Sequence, residues 1–116
     1  MKSKSSAKSS RKTPQVFPLT PAQLHDRKDQ TLVIDIRGWL EYWMGHVPGA
    51  QSMSPNQIVK KIPKDQSIIL TCLSGHRSAM AAQQLARQGY QKLYNLQGGL
   101  MAWQGSGYPV KRGNRP

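Results

Sequence analysis

The sequence predicts an α/β fold, a mostly parallel sheet with helices on both faces. Strand-length apolar runs alternate with helical patterns, which is how βαβ units read. The runs Leu32–Ile36 and Ile68–Thr71 are nearly continuous in apolar residues rather than alternating, as in strands covered on both sides. Two helix starts share one grammar, Thr20-Pro21-Ala22-Gln23 and Ser54-Pro55-Asn56-Gln57. In each a hydroxyl caps, proline takes the first helical position and glutamine closes a capping box. At 116 residues the chain is one domain with a modest core.

The elements follow in order. Residues 1–14 are Lys, Ser, Ala, Arg and Thr-rich and lack the apolar surface to order themselves, so a disordered basic tail is expected there. The domain proper is expected over 15–110. Gln15–Phe17 reads as a short strand stopped by Pro18. The helix opened by Thr20 runs to about Lys28, with Leu24 facing the core and His25 at the surface. Thr31–Ile36 is a buried strand with Asp35 and Arg37 at its C-terminal end. Trp39–Met44 is a helical turn ending at Gly45, and Gly45–Ala50 is a glycine- and proline-rich turn. A brief strand over 50–53 leads to the helix opened by Ser54, which has Ile58 and Ile62 on one face and stops before Pro63. Ser67–Thr71 is the central strand. The next helix starts at about Ser78, carries Ala79, Ala82, Leu85 and Ala86 at helical spacing, and ends at Gly89. Lys92–Leu96 is the last strand. Gly98-Gly99 turns the chain into a short helix on which Trp103 lids the core. Residues 111–116 read as a second polar tail.

Net charge is +12, but the ends hold much of it. Eight of the 17 basic residues lie in 1–14 and 111–116, while 13–110 carries only +4. The basic ends are read as solvated, with no specific nucleic-acid partner. No apolar run reaches the roughly 20 residues of a membrane helix, so no membrane partner is expected. The N-terminus has no apolar h-region, and a cytoplasmic location is expected. The single cysteine excludes an internal disulfide and a Cys-rich zinc site, and no metal or cofactor is expected.

That cysteine opens Cys72-Leu73-Ser74-Gly75-His76-Arg77-Ser78, between the end of a strand and the start of a helix. A helix's first turn presents unpaired N–H groups and a partial positive charge, which favour anions and push a thiol toward thiolate. Gly75 permits a backbone turn that a Cβ obstructs. Arg77 adds a fixed charge with planar donors. The stretch therefore reads as an anion cradle with a sulfur nucleophile at its base. Ligands of open α/β sheets bind beyond the carboxyl ends of strands, which places Asp35 and Arg37 beside the loop. Arg77 is a candidate partner of Asp35, and Arg37 of Glu41 four residues on. Ser74 and Ser78 offer hydroxyls to the sulfur or to the helix end, the cap being favoured for Ser78.

Cys-x-x-Gly-x-Arg-Ser resembles the active-site loop of rhodanese-like sulfurtransferases. Three more segments resemble that family in the same order: Leu32–Arg37, Gly45-His46-Val47-Pro48-Gly49-Ala50, and Asn95–Leu100 with Trp103 after it. The resemblance runs from about Val16 to Val110. It implies a five-stranded sheet and a structural, hydrogen-bonded His46. It also implies a thiosulfate sulfurtransferase that moves a sulfane sulfur through a persulfide on Cys72. Arg77 would assist at the catalytic site, and Leu73, Ser74, Gly75, His76, Ser78, Asp35 and Arg37 would shape the substrate site. The partners implied are a small anionic sulfur donor, a thiol or cyanide acceptor, and a sulfur-accepting protein. Four residues separate Cys72 from Arg77, against five in related phosphatases, which favours sulfur over phosphoryl transfer by analogy. The alternatives are a persulfide carrier without turnover and, more remotely, a phosphatase or arsenate reductase.

Overall fold

The computed structural model describes residues 15–116. The basic stretch 1–14 lies outside the described residues. Ten elements follow one another: β1 (Val16–Leu19), α1 (Pro21–Arg27), β2 (Leu32–Asp35), α2 (Trp39–Met44), β3 (Gln51–Ser52), α3 (Pro55–Lys61), β4 (Ile68–Thr71), α4 (His76–Arg87), β5 (Leu93–Leu96) and α5 (Gly99–Gly105). The five strands form one sheet in the order β1-β5-β4-β2-β3, and every pairing is parallel. The strand that leads to Cys72 is thus the middle one.

Alternation along the strands splits the core into two layers. On one face Val33, Ile69 and Leu96 pack with Leu24 of α1 and with Leu100 and Trp103 of α5. On the other, Ile34, Ile68, Leu70 and Leu93 pack with Ile58 of α3 and Ala81, Ala82 and Leu85 of α4. Small residues on α4 let that helix lie close to the sheet, which fixes its N-terminus over the end of β4. Leu24 is fully buried, worth about 1.5–3 kcal/mol relative to exposure. Both capping boxes form: Thr20 Oγ1 accepts from Gln23 N at 3.2 Å and Ser54 Oγ from Gln57 N at 3.2 Å. Their glutamine side chains return the bond to the cap N–H groups.

Two expectations need correction. Pro18 does not stop β1; it lies inside the strand, opposite Asn95 of β5. β1 is an edge strand, where one row of N–H groups has no partner, so a residue without an N–H is tolerated. The second concerns α4, which begins at His76 rather than at about Ser78. Gly75 is its N-cap, at φ +94°, so a left-handed glycine and not a serine makes the turn.

Residues 111–116, expected as a solvated polar tail, instead form a closing segment held against α2 by hydrogen bonds. Lys111 and His46 exchange backbone hydrogen bonds at 2.9 Å, Gly113 N donates to Trp43 O at 2.8 Å, and Arg112 Nε donates to Met44 O at 3.2 Å. Buried His46 is the anchor. Its Nδ1 lies 2.8 Å from Tyr42 O, its Nε2 lies 2.8 Å from Arg115 O, and its ring stacks on Tyr42 at 3.7 Å. Its nitrogens are occupied by backbone carbonyls, in keeping with a structural histidine.

Candidate active site

The end of β4 feeds Cys72 directly into the turn below α4, and Asp35 stands opposite Thr71 across the β2–β4 pairing. The strand ends are therefore neighbours, as their sequence positions require.

Cys72 is buried, 1% exposed, and its Sγ faces three donors. Gly75 N donates at 3.1 Å, Ser78 N at 3.3 Å and Ser78 Oγ at 3.3 Å. Burial pushes the thiol up. The Ser78 hydroxyl and the N–H groups of Ser78, Gly75 and Ser74 more than offset it, and the net shift is downward from the ordinary thiol value. The N–H groups of His76 and Arg77 belong to the first turn of α4 and have no intrahelical acceptor. Leu73, Ser74, His76 and Arg77 are exposed, while Gly75 and Ser78 are buried with the sulfur. The cradle thus has a buried sulfur floor and an exposed rim.

The rim residues differ in what they touch. Ser74 Oγ lies 3.1 Å from His76 Nδ1, so its hydroxyl is turned to the rim rather than to the sulfur. Ser78 is not a cap. It occupies the third position of α4 and turns its hydroxyl inward to Sγ, Gly75 O and Asn95 Oδ1.

The charged pairs are not those the sequence suggested. Asp35 and Arg37 bind each other: Nε and Nη2 of Arg37 donate to the Asp35 carboxylate, Nη2 at 2.8 Å. Arg37 N also donates to Asp35 Oδ1 at 3.0 Å, and Arg37 Nη2 to Gly45 O at 2.6 Å. Both side chains are buried, and their charges are spent on fixing the end of β2 to the Gly45 turn. Arg77 instead pairs with Glu41, its Nη1 and Nη2 at 3.3 and 3.2 Å from the carboxylate oxygens. The hydrogen bond between them raises the Arg77 pKa and lowers that of Glu41. Arg37 chose the nearer carboxylate because its own N–H already anchors Asp35 two residues back.

Two supports were missed in the sequence. Asn95 of β5 donates from Nδ2 to Gly75 O at 3.1 Å and accepts from Ser78 Oγ, tying the loop to the neighbouring strand. A polar residue between Tyr94 and Leu96, at the carboxyl end of a buried strand, was the signal. The second support is the start of α5. Leu100 N donates to Cys72 O at 2.9 Å and Met101 N to Leu73 O at 3.0 Å. A Cβ on Gly99 would collide with the carbonyl oxygens of Leu73 and Cys72, so the Gly-Gly pair is a seat for the loop. Among the described residues no group of His, Cys, Asp and Glu is placed to hold a metal ion, and no helix is long and apolar enough to cross a membrane.

The chain is similar in sequence and fold to known proteins. A sulfurtransferase of Allochromatium vinosum is 37% identical over 91 residues, which cover 76% of this chain and 84% of that protein. A thiosulfate sulfurtransferase, GlpE, of Pseudoalteromonas translucida is 35% identical over 80 residues, 66% of this chain and 76% of that protein. The crystal structure of a rhodanese-related protein from Thermoplasma volcanium shares the fold, with a TM-score of 0.71 at 24% identity over 82% of this chain and 97% of that one. The profile of the rhodanese-like domain matches residues 20–106, from the cap of α1 to the end of α5, and the chain belongs to that family.

Proposed function

We propose that the protein is a sulfurtransferase that carries a sulfane sulfur on Cys72. The observation that supports this most is the set of donors converging on one lone thiol: two N–H groups and a hydroxyl within 3.3 Å of Sγ, beside the first turn of a 12-residue helix. Such preorganised donors stabilise a thiolate, and they serve a persulfide anion equally well. Relatives that are themselves named sulfurtransferases add to it.

The reaction has two half-reactions. The Cys72 thiolate attacks the outer sulfur of an anionic donor such as thiosulfate. A sulfur–sulfur bond forms at Cys72, the donor's own sulfur–sulfur bond breaks, and sulfite leaves with the electron pair. The terminal sulfur of the persulfide then lies toward the N–H groups of Leu73–Ser78. Cyanide or a thiolate attacks that sulfur, and Cys72 departs again as thiolate. No general base is required, because the attacking thiol is already biased toward its anion. Arg77, half exposed at the rim, attracts the donor anion.

Intact-protein mass spectrometry tests the reading. Incubation with thiosulfate is expected to add one sulfur atom to the wild type and none to Cys72→Ser, and cyanide is expected to remove it as thiocyanate. Failure to gain sulfur from thiosulfate, mercaptopyruvate and a protein persulfide alike would overturn the proposal.

A further inference from the structure

One face of the molecule has no role in the fold or the cradle. Helix α2 buries only Tyr42. Trp39, Leu40, Trp43 and Met44 are 74%, 54%, 52% and 62% exposed. Scattered exposed apolar residues are ordinary, but four of the six residues of one helix form a contiguous patch, and two are tryptophans. Tryptophan is the side chain most enriched at energetic centres of protein interfaces. The patch lies against the cradle, because Glu41 on the same helix reaches Arg77 in the first turn of α4. The segment packed beside it is basic. The closing segment places Lys111 and Arg112 along α2, pinned through His46, Trp43 and Met44. The only acidic side chain on α2 or that segment is Glu41, already paired with Arg77.

We propose that this face docks an acidic protein whose cysteine exchanges sulfur with Cys72. The inference rests on the sulfur-transfer reading above and names the partner class for it. An apolar centre with a positive border is complementary to an apolar surface bordered by carboxylates. A second copy of this chain would bring the same basic border and repel. An anionic bilayer would match the charge, but it would press the rim of the cradle onto lipid headgroups and away from an acceptor in water. A docked protein instead gains from the shared position: its thiolate, held beside Leu73 and His76, attacks the outer sulfur of the Cys72 persulfide. The new sulfur–sulfur bond forms on the partner as that of Cys72 breaks, and Cys72 leaves as thiolate.

The probe is a labelled peptide, Glu-Glu-Leu-Phe-Cys-Leu-Glu-Glu, compared with a version carrying Lys for Glu and one carrying Ser for Leu and Phe. Anisotropy at low salt is expected to show binding of the first alone, weakened about tenfold by Trp39→Ser/Trp43→Ser and by raised salt. Sulfur transfer from persulfidated protein to this peptide is expected to fall about tenfold in the same double variant, while transfer to dithiothreitol is unchanged. Equal binding of all three peptides, or no effect of the double substitution on either readout, would overturn the proposal. So would preferential binding to vesicles of roughly 30 mol% phosphatidylserine, or a dimer that the double substitution dissolves. If Cys72 accepts sulfur from no donor, the sulfur-transfer reading fails separately, and the anisotropy series still decides the docking face.

Discussion

Replacing Ser78 by Ala isolates the strongest single support of the Cys72 anion. The hydroxyl lies 3.3 Å from Sγ and is the foremost of the hydrogen bonds that lower the thiol pKa. One hydroxyl has one proton, yet Sγ, Gly75 O and Asn95 Oδ1 are all within reach. Asn95 cannot reverse its amide, because Nδ2 is held by Gly75 O. When the thiol is protonated, the hydroxyl proton therefore goes to Asn95; when it ionises, the proton turns to sulfur. A bond to a charged acceptor contributes about 1.5–3 kcal/mol, and the neutral bond surrendered to obtain it about 1 kcal/mol. The net, about 0.5–2 kcal/mol, corresponds to roughly a two- to thirtyfold change in the thiol's ionisation constant. Ser78→Ala is expected to raise the Cys72 pKa correspondingly, the two N–H donors remaining in place. Asn95→Ala frees the proton for sulfur and is expected to move the pKa downward. The assay is the pH dependence of iodoacetamide alkylation, unambiguous because Cys72 is the only cysteine in the chain. For the wild type the rate is expected to reach half its maximum below the ordinary thiol value, because the donors around Sγ lower the pKa. The sign follows from linkage: a depressed thiol pKa adds stability above the unfolded-state pKa, and that stability is lost as pH falls through the folded-state one. A shift of the same sign in both variants would refute the competition for one proton, leaving a general loosening of the loop as the cause.

The buried Asp35–Arg37 pair and the Gly99 seat carry two further predictions. Arg37→Ala leaves the Asp35 carboxylate buried with only a backbone partner and takes the donor from Gly45 O. It is expected to destabilise the fold by about 3–5 kcal/mol in urea unfolding, and a cost below about 1 kcal/mol would show the pair to be dispensable. Gly99→Ala puts a Cβ at φ +63° against the carbonyl oxygens of Leu73 and Cys72. It is expected to cost about 1–3 kcal/mol through backbone strain alone and to slow sulfur uptake from thiosulfate, as measured by thermal unfolding and by mass spectrometry.

The elements were legible because their local signals agree with their burial. The two Pro-containing capping boxes, the apolar runs of β2 and β4 and the Gly89 stop each depend on neighbours in sequence. The cradle's cysteine, glycine and arginine were legible for the same reason, since one turn contains them all. What did not read out was which residue answers which across the fold. Ser78 looked like a cap because hydroxyls before a helical pattern usually cap; only the left-handed Gly75 reveals that the helix has already begun. Asn95 and Gly99 support the loop from 17 or more positions away, and no local pattern joins them to it. The helical turn Trp39–Met44 is legible but its apolar face is not, since exposure is a property of the packed chain and not of the segment.

The exchange of ion-pair partners has a functional consequence. Had Arg77 paired with Asp35, its charge would have been buried in a low dielectric, costly to separate and unavailable to a substrate. Asp35 is closed instead by Arg37, whose N–H and guanidinium grip it from two residues away. Glu41 is left for Arg77, with both side chains about half exposed. An ion pair at that exposure contributes only about 0–1 kcal/mol, so Arg77 can exchange Glu41 for an incoming anion at little cost. The buried pair thus frees the exposed one: one arginine holds the end of β2 rigid, and the other stays half exposed at the mouth of the cradle, where under the proposed sulfur transfer its charge is open to an incoming anion.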